Sequence, residues 1–576
     1  MIKIDKNILS DDLSPYLNQH KDNPVNWQTW STETLNFAKK NKKPILLSIG
    51  YASCHWCHVM AHESFEDPIT AKLMNELFIN VKVDREERPD LDFIFQSSFQ
   101  LFNQSGGGWP LTMFLDENGV PFSGGTYFPK VSQHGLPAFK DLLIKVSETY
   151  KIKREKIISQ SNLIKKSLTL KKNLVISQDL IPILENVITK LDPIKGGFFG
   201  SPKFPTFSVY GTLIYYFNKT KNEDYLKPVE ILLKKLCSQG IYDHVEGGIS
   251  RYTVDEEWLV PHFEKMLYDN VQFISLLSSY LKIKKNIYFQ NKLKETIDFI
   301  SAEFLNKKFN LLGSAYDADS EGEEGKYYTF KYKEISNIQD IEKFYEILPN
   351  GNWENKIILR ELQDPNPQIK HELLKIRKSK KKPFFDEKVQ LDLNCMWISS
   401  LVNTYNFNKD KYYLELAEKF YSNLKTKFDE NNLHHSYSKN HVFLEDYACY
   451  TSMLLDLYDA TMDLTYKNKS LKVYSKTLDK FFDKEKKIFQ KNLLSNNDLF
   501  LNPIDIGDST IPNGNSIMLL NMVRLGKLDE AKILAQSLYG YLNIYNNYMT
   551  SSLKSLDYFS EKSLGRDCGP DGCKII

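Results

Sequence analysis

The stretch Tyr51–Met60, YASCHWCHVM, places two cysteines, two histidines and a tryptophan within ten residues. It directly follows PILLSIG, Pro44–Gly50, an apolar run with the length and composition of a buried strand. A strand, a short loop and a helix opening at Cys54 would place this thiol beside unpaired N–H groups and the positive end of a helix dipole. Both features favour the thiolate.

A thiolate in this position is the nucleophile of thiol–disulfide exchange, with its pKa lowered from about 8.5 into roughly the range 3.5–7.5. We expect Cys54 to attack a partner and Cys57, three residues later, to resolve the mixed disulfide. His55 lies between them, where it would stabilise the thiolate or tune the reduction potential.

Three other interpretations compete with redox chemistry. Cys54-x-x-Cys57-His58 fits the attachment pattern of c-type haem, which normally accompanies an exported chain. A metal site would use these three residues with His62, since the two histidines are four residues apart on a helix. The cysteines would otherwise be small, apolar packing residues. Redox chemistry is favoured, because neither an export signal nor a second matching ligand pair is evident, and we expect no metal and no cofactor.

Composition limits the classes of function. The 576 residues are 42% hydrophobic, enough for two or three domains, and 75 basic against 73 acidic residues give a net charge of +2. We therefore expect neither nucleic acid nor a membrane as a partner. The N-terminus MIKIDKNILSDDLSPYL lacks an apolar signal region, which predicts a cytoplasmic location. Seven cysteines argue against a disulfide scaffold.

The pattern along the chain predicts two domains. Alternating strand and helix signals, followed by a hairpin at Asn118-Gly119, predict an α/β domain over residues 1–140 with a parallel core and an antiparallel edge. A lysine-rich helix beginning at Phe139 makes residues 141–175 a helical linker. Helical periodicity dominates residues 176–576, and by itself it leaves a closed ring and an open solenoid as alternatives.

A proline loop supports the redox interpretation. GGGWPLTMFL places Trp109-Pro110 immediately before a predicted strand. In thioredoxin-type folds a cis-proline at this point of the element order faces the two cysteines, and we expect Pro110 to have that role.

Several motifs, in chain order, together resemble the thioredoxin domain-containing family that includes spermatogenesis-associated protein 20 and its bacterial relatives. They are NPVNWQTW, KPILLSIGYASCHWCHVMAHESFEDPITAKLMNELFINVKVDREERPDLD, GGGWPLTMFLDENGVPFSGGTYFP, GGFFGSPKFP, HFEKMLYDN and LEDYA. The resemblance implies a thioredoxin-like N-terminal domain followed by an all-α (α/α)6 six-hairpin toroid, similar to glycosidases and sugar 2-epimerases. The chain departs from the family pattern at Asp386-Glu387-Lys388, at the following DLNCMW and at Pro512–Ser516, which weakens the case for a shared toroid activity.

Polar groups in the helical half are candidates for a toroid cavity. If HFEKMLYDN is helical, His262 and Asp269 lie on nearly the same face, while Glu264 and Tyr268 form a separate pair. Carboxylates and histidines act as acid and base in sugar chemistry. The other candidates are Asp243, His244, Asp317, Glu445 and Asp446.

The sequence thus predicts a thiol–disulfide oxidoreductase whose toroid recognises a protein partner or a carbohydrate. The alternatives are a carbohydrate-active enzyme, an epimerase or hydrolase, with a regulatory thioredoxin-like domain, and a binding scaffold without turnover. Cys568 and Cys573, separated by four residues, are expected to lie in a flexible tail.

Overall fold

The computed structural model of the chain describes residues 4–104, 106–133, 135–172, 178–437, 441–545, 548–564, 566–569 and 572–575. The chain divides into two compact units. The first comprises Met1–Lys171, Ser438–Phe443 and Gln490–Ile504, and the second comprises Lys172–Tyr437, Leu444–Phe489 and Asp505–Ile576. The expected linker over 141–175 does not follow this division, because the first unit extends to Lys171 and takes two segments from the C-terminal half.

The first unit is built on a four-stranded sheet. After a 3₁₀ turn at Leu9–Asp11, its helices are α1 Pro15–Gln19, α2 Thr32–Asn41, α3 His55–Met60, α4 Pro68–Leu77, α5 Pro89–Asn103, α6 Phe139–Ile152 and α7 Arg154–Leu168. Its strands are β1 Ile45–Gly50, β2 Ile79–Asp84, β3 Leu111–Leu115 and β4 Pro121–Gly125. A π-helical turn, Ala61–Phe65, follows α3.

The sheet has the order β2-β1-β3-β4. β1 and β2 are parallel, whereas β3 runs antiparallel to β1 and β4 antiparallel to β3. All six residues of β1 and of β2 are buried, as continuous apolar strand runs predict. Gly119, with φ of 77°, donates its N–H to the Asp116 carbonyl at 3.0 Å and closes the predicted hairpin. The thioredoxin-like domain is therefore confirmed.

Two features of the first unit differ from expectation. The long helix predicted from Phe139 is divided at Lys153 into α6 and α7. The segment Gln490–Ile504 also packs on the sheet core through the apolar run 499–501. Arg88 forms ion pairs with Asp90 at 2.7 Å and with Asp498 of that segment at 3.0 Å. This contact between residues far apart in the chain has no local sequence signal.

The second unit is mainly helical. Its longer helices are α8 Ile181–Ile188, α9 Phe207–Thr220, α10 Glu223–Ser238, α11 Leu267–Leu281, α12 Ile287–Glu303, α15 Pro367–Lys378, α16 Leu391–Asn408, α17 Lys411–Lys427, α18 Leu444–Thr461, α19 Leu464–Phe481, α20 Gly514–Arg524, α21 Leu528–Tyr545 and α22 Thr550–Ser563, and the short α13 Tyr332–Ile335 and α14 Ile341–Phe344 lie between α12 and α15. Its strands are β5 Lys265–Met266, β6 Leu305–Asn306, β7 Leu311–Leu312, β8 Ala315–Tyr316, β9 Asp319–Ser320, β10 Glu323–Glu324, β11 Phe385–Asp386, β12 Phe482–Asp483, β13 Ile488–Phe489, β14 Arg566–Gly569 and β15 Gly572–Ile575.

Six helices of this unit form a closed ring. In chain order, α9, α11, α16, α18, α20 and α22 each pack on the next, and α22 packs on α9. Between successive ring helices runs an outer helix, α10, α12, α17, α19 or α21, which packs on the ring helix that precedes it. α8 precedes α9 in the same alternation. The unit is therefore an (α/α)6 toroid and not an open solenoid.

The connection from an inner to an outer helix repeats. Lys221, Lys409 and Met462 follow inner helices with φ of 58–59°, the left-handed conformation that ends a helix. The next residue in each case is Asn222, Asp410 or Asp463, whose side chain caps the following outer helix. A two-residue turn of this kind reverses the chain direction.

Buried asparagines join the first turns of inner helices to the hairpins that follow outer helices. In the first turn of α16, the Asn394 side chain accepts from Leu312 N–H at 2.9 Å and donates to the Leu312 carbonyl at 3.0 Å and the Gln390 carbonyl at 2.8 Å. Asn270 makes the same paired contact with Ile249, and Asn515 makes it with Phe489. Each asparagine thereby serves as a strand partner for the hairpin that follows an outer helix.

Two further expectations concern the tail and the membrane. Cys568 and Cys573 lie opposite each other in the antiparallel pair β14 and β15, so the expected flexible tail is wrong. In the described part of the chain, no helix has both the length and the hydropathy needed to cross a bilayer.

We expect Asn394→Ala to lower the free energy of unfolding by about 3 kcal/mol, because it removes three buried hydrogen bonds at about 1 kcal/mol each. Denaturant titration measures the change. Asn468→Ala, at an exposed position of α19, is the matched control and is expected to change little. Equal effects of the two substitutions would show that the asparagine contacts do not hold the ring together.

Candidate functional site

The two cysteines of the CHWC motif are bonded to each other. Cys54 is the N-cap of α3, and its sulfur accepts a hydrogen bond from the Cys57 N–H at 3.3 Å. Cys54 and Cys57 form a disulfide, and they are 3% and 1% exposed. The predicted helix opening at Cys54 is confirmed. The competing metal set is not assembled in this state, because both sulfurs are bonded and the exposed His62 pairs with Glu66 at 3.0 Å.

Aromatic side chains border the disulfide. Trp56, between the two cysteines, is 47% exposed. Its ring lies edge-on to His55 at 5.7 Å and contacts Tyr127 at 5.2 Å. The Tyr127 hydroxyl donates to Glu63 at 2.5 Å, and burial together with this carboxylate raises the pKa of Tyr127 to about 12. Trp56 is thus a large apolar surface held next to the Cys54–Cys57 disulfide.

The Trp109–Pro110 peptide is cis, as predicted. Leu111 pairs with Ile49, so Pro110 lies beside Gly50, at the end of β1 where the cysteine loop leaves the sheet. Trp109 also packs edge-on against Tyr51 of that loop, with ring centroids 5.8 Å apart. The role of Pro110 in binding a partner stays a prediction.

Arg85 and Asp92 hold this loop, and the sequence analysis assigned neither. The Arg85 guanidinium lies 4.0 Å from the centre of the Trp109 ring and its Nε lies 3.2 Å from Asp92. Asp92 in turn accepts from the Trp109 indole N–H at 2.7 Å. Both residues belong to DREERPDLD, the segment that joins β2 to α5. The many charged residues in this segment, directly after a buried strand, were the sequence signal that could have identified Arg85 and Asp92.

Gly50 lies under Cys57. A Cβ at this position would come within 2.7 Å of Cys57 Sγ and would also collide with the Tyr16 hydroxyl, so a residue with a side chain does not fit. The hydroxyl of Tyr16 is buried and has no hydrogen-bond partner in the described part of the chain. Burial and the nearby Asp84 raise the pKa of Tyr16 well above its usual value. Tyr16 is therefore a protonated donor located beside Cys57.

A buried lysine lies on the same face of the sheet. Lys82 pairs in register with Ser48 and donates to its hydroxyl at 2.9 Å. The rings of Tyr16, Trp27 and Phe65 surround its ammonium at 4.4–5.2 Å. Burial lowers the pKa of Lys82 well below its usual value.

In the toroid, acidic residues begin three inner helices. Asp269 lies in the first turn of α11, Asp392 in that of α16, and Glu445 and Asp446 in that of α18. Negative charge is favourable at these positive helix ends. Because inner and outer helices alternate in direction, the N-termini of the inner helices lie at one end of the ring.

Asp392, His435 and Asp446 form a buried cluster whose ligand atoms lie within 4.8 Å of one another. His435 Nδ1 lies 2.8 Å from Asp446 and 4.0 Å from Asp392, while its Nε2 lies 3.2 Å from Gln390. Burial raises the pKa of Asp392 to about 6, with a further contribution from Asp446 and an opposing one from His435. Such a cluster suits proton transfer or a divalent cation. Of its members, the sequence analysis found only Asp446.

The helical arrangement expected for His262 is wrong. α11 begins at Leu267, so His262 and Glu264 lie in the extended segment before it and do not share a helix face with Asp269. The His262 ring stacks on Tyr252 at 5.0 Å, and its nitrogens lie 3.9 Å from Glu264 and from Glu324. His262 is thus close to Glu264, in place of the expected alignment with Asp269.

Asp243 and His244 take part in buried ion pairs. Asp243 pairs with Lys265 at 2.7 Å and Arg377 at 3.0 Å, and these cations lower its pKa although burial opposes them. His244 lies 3.2 Å from Glu361, and burial lowers its pKa. Asp317 is also buried and accepts from the Asp319 N–H at 3.1 Å. Their predicted sugar-binding role has no independent support from these contacts.

Comparison with known proteins identifies relatives over most of the chain. Residues 6–169 match the family described as Thioredox_DsbH, protein of unknown function DUF255. The chain is 29% identical over 591 residues to uncharacterized protein B0495.5 of Caenorhabditis elegans, covering 90% of this chain and 80% of that protein. It is also 29% identical over 603 residues to human spermatogenesis-associated protein 20, covering 90% and 76%.

Solved structures resemble the helical unit at low identity. A sugar epimerase from a ruminal bacterium is 10% identical with a TM-score of 0.46, covering 67% of this chain and 96% of that one. A D-mannose isomerase is 10% identical with a TM-score of 0.44, covering 66% and 97%. The toroid assignment rests on the helix contacts of the chain itself. Residues 6–169 thus match the family described as Thioredox_DsbH, and over most of its length the chain is similar to spermatogenesis-associated protein 20.

Proposed function

We propose that the protein is a thiol–disulfide oxidoreductase in which Cys54 attacks and Cys57 resolves. The observation that carries the proposal is the Cys54–Cys57 disulfide at the N-terminus of α3, at the end of a thioredoxin-like strand. The helix N-terminus favours the thiolate of Cys54, the N-cap of α3, and this supports Cys54 as the attacking sulfur.

The exchange proceeds in two steps. In the dithiol form, the Cys54 thiolate attacks one sulfur of a partner disulfide, and the other partner sulfur leaves as a thiolate. Cys57, as its thiolate, then attacks Cys54 Sγ, which releases the second partner sulfur and forms the Cys54–Cys57 disulfide. Two electrons pass to the partner, and a second dithiol, or two molecules of a small thiol, must then reduce the Cys54–Cys57 disulfide and become oxidised to a disulfide themselves.

Recognition of the partner involves both units in this proposal. Trp56 and the cis-proline loop offer apolar and backbone contacts beside the disulfide. The toroid recognises the protein partner or a carbohydrate attached to it. We expect the protein to act in the cytoplasm, where the glutathione pool keeps thiols reduced.

We expect Cys57→Ser to trap mixed disulfides through Cys54, because the resolving sulfur is absent. Non-reducing electrophoresis and mass spectrometry of the captured adducts measure this. Cys54→Ser is the matched control and should trap no partner through this pair. If Cys57→Ser and Cys54→Ser recover the same adducts, Cys54 is not the attacking residue.

Tyr16→Phe should make the reduction potential of the pair more negative by about 10–30 mV. The Tyr16 hydroxyl lies beside Cys57 without a partner in the described residues and would donate a hydrogen bond to the reduced sulfur, worth about 0.5–1.5 kcal/mol. Thiol mass-tagging across a glutathione series measures the potential. Tyr150→Phe, which removes a hydroxyl bonded to Glu117, is the control. A potential unchanged or less negative in Tyr16→Phe would exclude the hydrogen bond.

A second candidate function is acid–base chemistry on a carbohydrate in the toroid. The observation that favours it is the His435–Asp446 contact beside Asp392, a carboxyl whose pKa of about 6 suits proton exchange near neutral pH. In this case the thioredoxin-like unit would be regulatory. Saturable binding of a sugar that depends on His435, with the cysteine pair dispensable, distinguishes it from the oxidoreductase.

The raised pKa of Asp392 predicts that the folded protein loses stability when this carboxyl ionises. The folded-state pKa of about 6 lies above the unfolded value near 3.9, so stability from the protonated form is present below pH 4 and is lost as pH rises through 6. The substitution Asp392→Asn should therefore change the free energy of unfolding more favourably at pH 7.5 than at pH 4, by up to about 3 kcal/mol. Denaturant titrations of both proteins at the two pH values measure the difference. A pH-independent effect would show that folding does not raise the pKa of Asp392.

A further inference from the structure

The six inner helices enclose a cavity of about 550 Å³. This volume lies within the range of roughly 300–1,000 Å³ that small-molecule sites occupy. Every inner helix contributes a serine to the wall. These are Ser208, Ser275, Ser399, Ser452, Ser516 and Ser555. The residues that line it include none of the eight toroid candidates predicted from the sequence, and neither Asp392 nor His435, so this cavity is separate from the Asp392 cluster.

Apolar side chains make up most of the remaining wall. Ile214, Leu276, Met396 and Leu520 come from four of the inner helices, and small serines between them leave the space open. The aromatic lining residues are Phe207 and Tyr215, and Tyr215 is hydrogen-bonded to Asp557 at 2.8 Å. Sugar sites of toroids stack rings on aromatic side chains, whereas this wall suits an aliphatic body.

The charged residues that line the cavity are two lysines, Lys282 and Lys554, and one aspartate, Asp456. Asp456 is paired with Arg524 at 2.8 Å. Lys282, at the exposed rim, donates to the Asn403 amide oxygen at 2.5 Å. The half-buried Lys554 also lines the cavity, and within the described residues its ammonium makes neither a hydrogen bond nor an ion pair. Within the described residues the cavity therefore contains a cation with no directly bonded counter-ion, since Asp456, which favours the charge of Lys554, is itself paired with Arg524.

The surroundings of Lys554 disfavour its charge when the cavity holds no anion. Burial lowers the pKa of Lys554, the nearby Arg524 lowers it further, and Asp456 opposes them. An anion next to the ammonium would reverse this cost, because an opposite charge a few ångströms away favours the charged form.

We propose that the toroid cavity binds a small amphipathic carboxylate, with its carboxylate on Lys554 and its aliphatic body against the apolar wall. Lys282 at the rim attracts the anion, and the serines donate further hydrogen bonds. A neutral sugar would leave Lys554 without a counter-ion. This ligand site does not depend on the redox chemistry of the cysteines.

Calorimetric titration of the full-length protein with octanoate and with octanamide, its neutral counterpart, tests the proposal. We expect octanoate to bind in a 1:1 ratio with a Kd at least tenfold lower than that of octanamide. Lys554→Met should remove this preference, while Lys554→Arg should retain it. Lys72→Met, which removes an exposed lysine, is the matched control and should bind both compounds as the wild type does.

Ser399→Phe provides a second variant that fills the cavity and keeps Lys554. It should abolish the binding of both compounds, with thermal unfolding showing that the protein remains folded. The proposal is overturned if wild-type protein binds neither compound, if it binds both equally, or if folded Lys554→Met keeps the preference for octanoate.

Discussion

The close approach at Gly50 is the constraint on which the position of the Cys54–Cys57 disulfide depends. Because this residue has no side chain, the Cys57 sulfur and the Tyr16 hydroxyl both lie close to the backbone at the end of β1. The disulfide therefore lies directly against the sheet. The neighbouring cis-proline loop is fixed from the other side, where Asp92 and Arg85 hold Trp109. The geometry of the cysteine pair is therefore set by the sheet and its adjoining loops, and the helix of the CHWC motif supplies the electrostatic environment.

The buried charged residues are of two kinds, those paired with an opposite charge and those with no carboxylate partner among the described residues. In the toroid, Asp243 with Lys265 and Arg377, and Glu361 with Lys292 and His244, form paired clusters that anchor the hairpins. Lys82 and Lys554 differ, since within the described residues neither has a carboxylate partner. An uncompensated buried cation lowers stability, so its presence indicates a role that the folded chain alone does not reveal. Lys82 contacts Ser48 and the ring of Tyr16, and Lys554 lines the toroid cavity.

The sequence predicted those parts of the molecule that have local signals. Apolar runs identified β1 and β2, Asn118-Gly119 identified the hairpin, and Trp109-Pro110 identified the cis peptide. Helical spacing misplaced His262, because β5 interrupts HFEKMLYDN before α11 begins. The Asp392–His435 contact joins residues on separate elements, and the Gln490–Ile504 segment packs on a sheet far away in the chain. Such contacts depend on the closed ring and on tertiary packing, which periodicity does not encode. The hairpin stretches LDPIKGGF, YDHVEGGI and FDKEKKIF share a weak pattern that the sequence analysis did not use, and their sequences diverge.

The reduction potential of the Cys54–Cys57 pair tests the central claim most directly. Purified protein is equilibrated across a glutathione series, free thiols are mass-tagged, and Cys54→Ser identifies the signal of the pair. We expect a reversible two-electron transition at about −270 to −200 mV, the range of thioredoxins and glutaredoxins. Absence of a reversible transition, or thiols that react only after a metal is chelated, would contradict it.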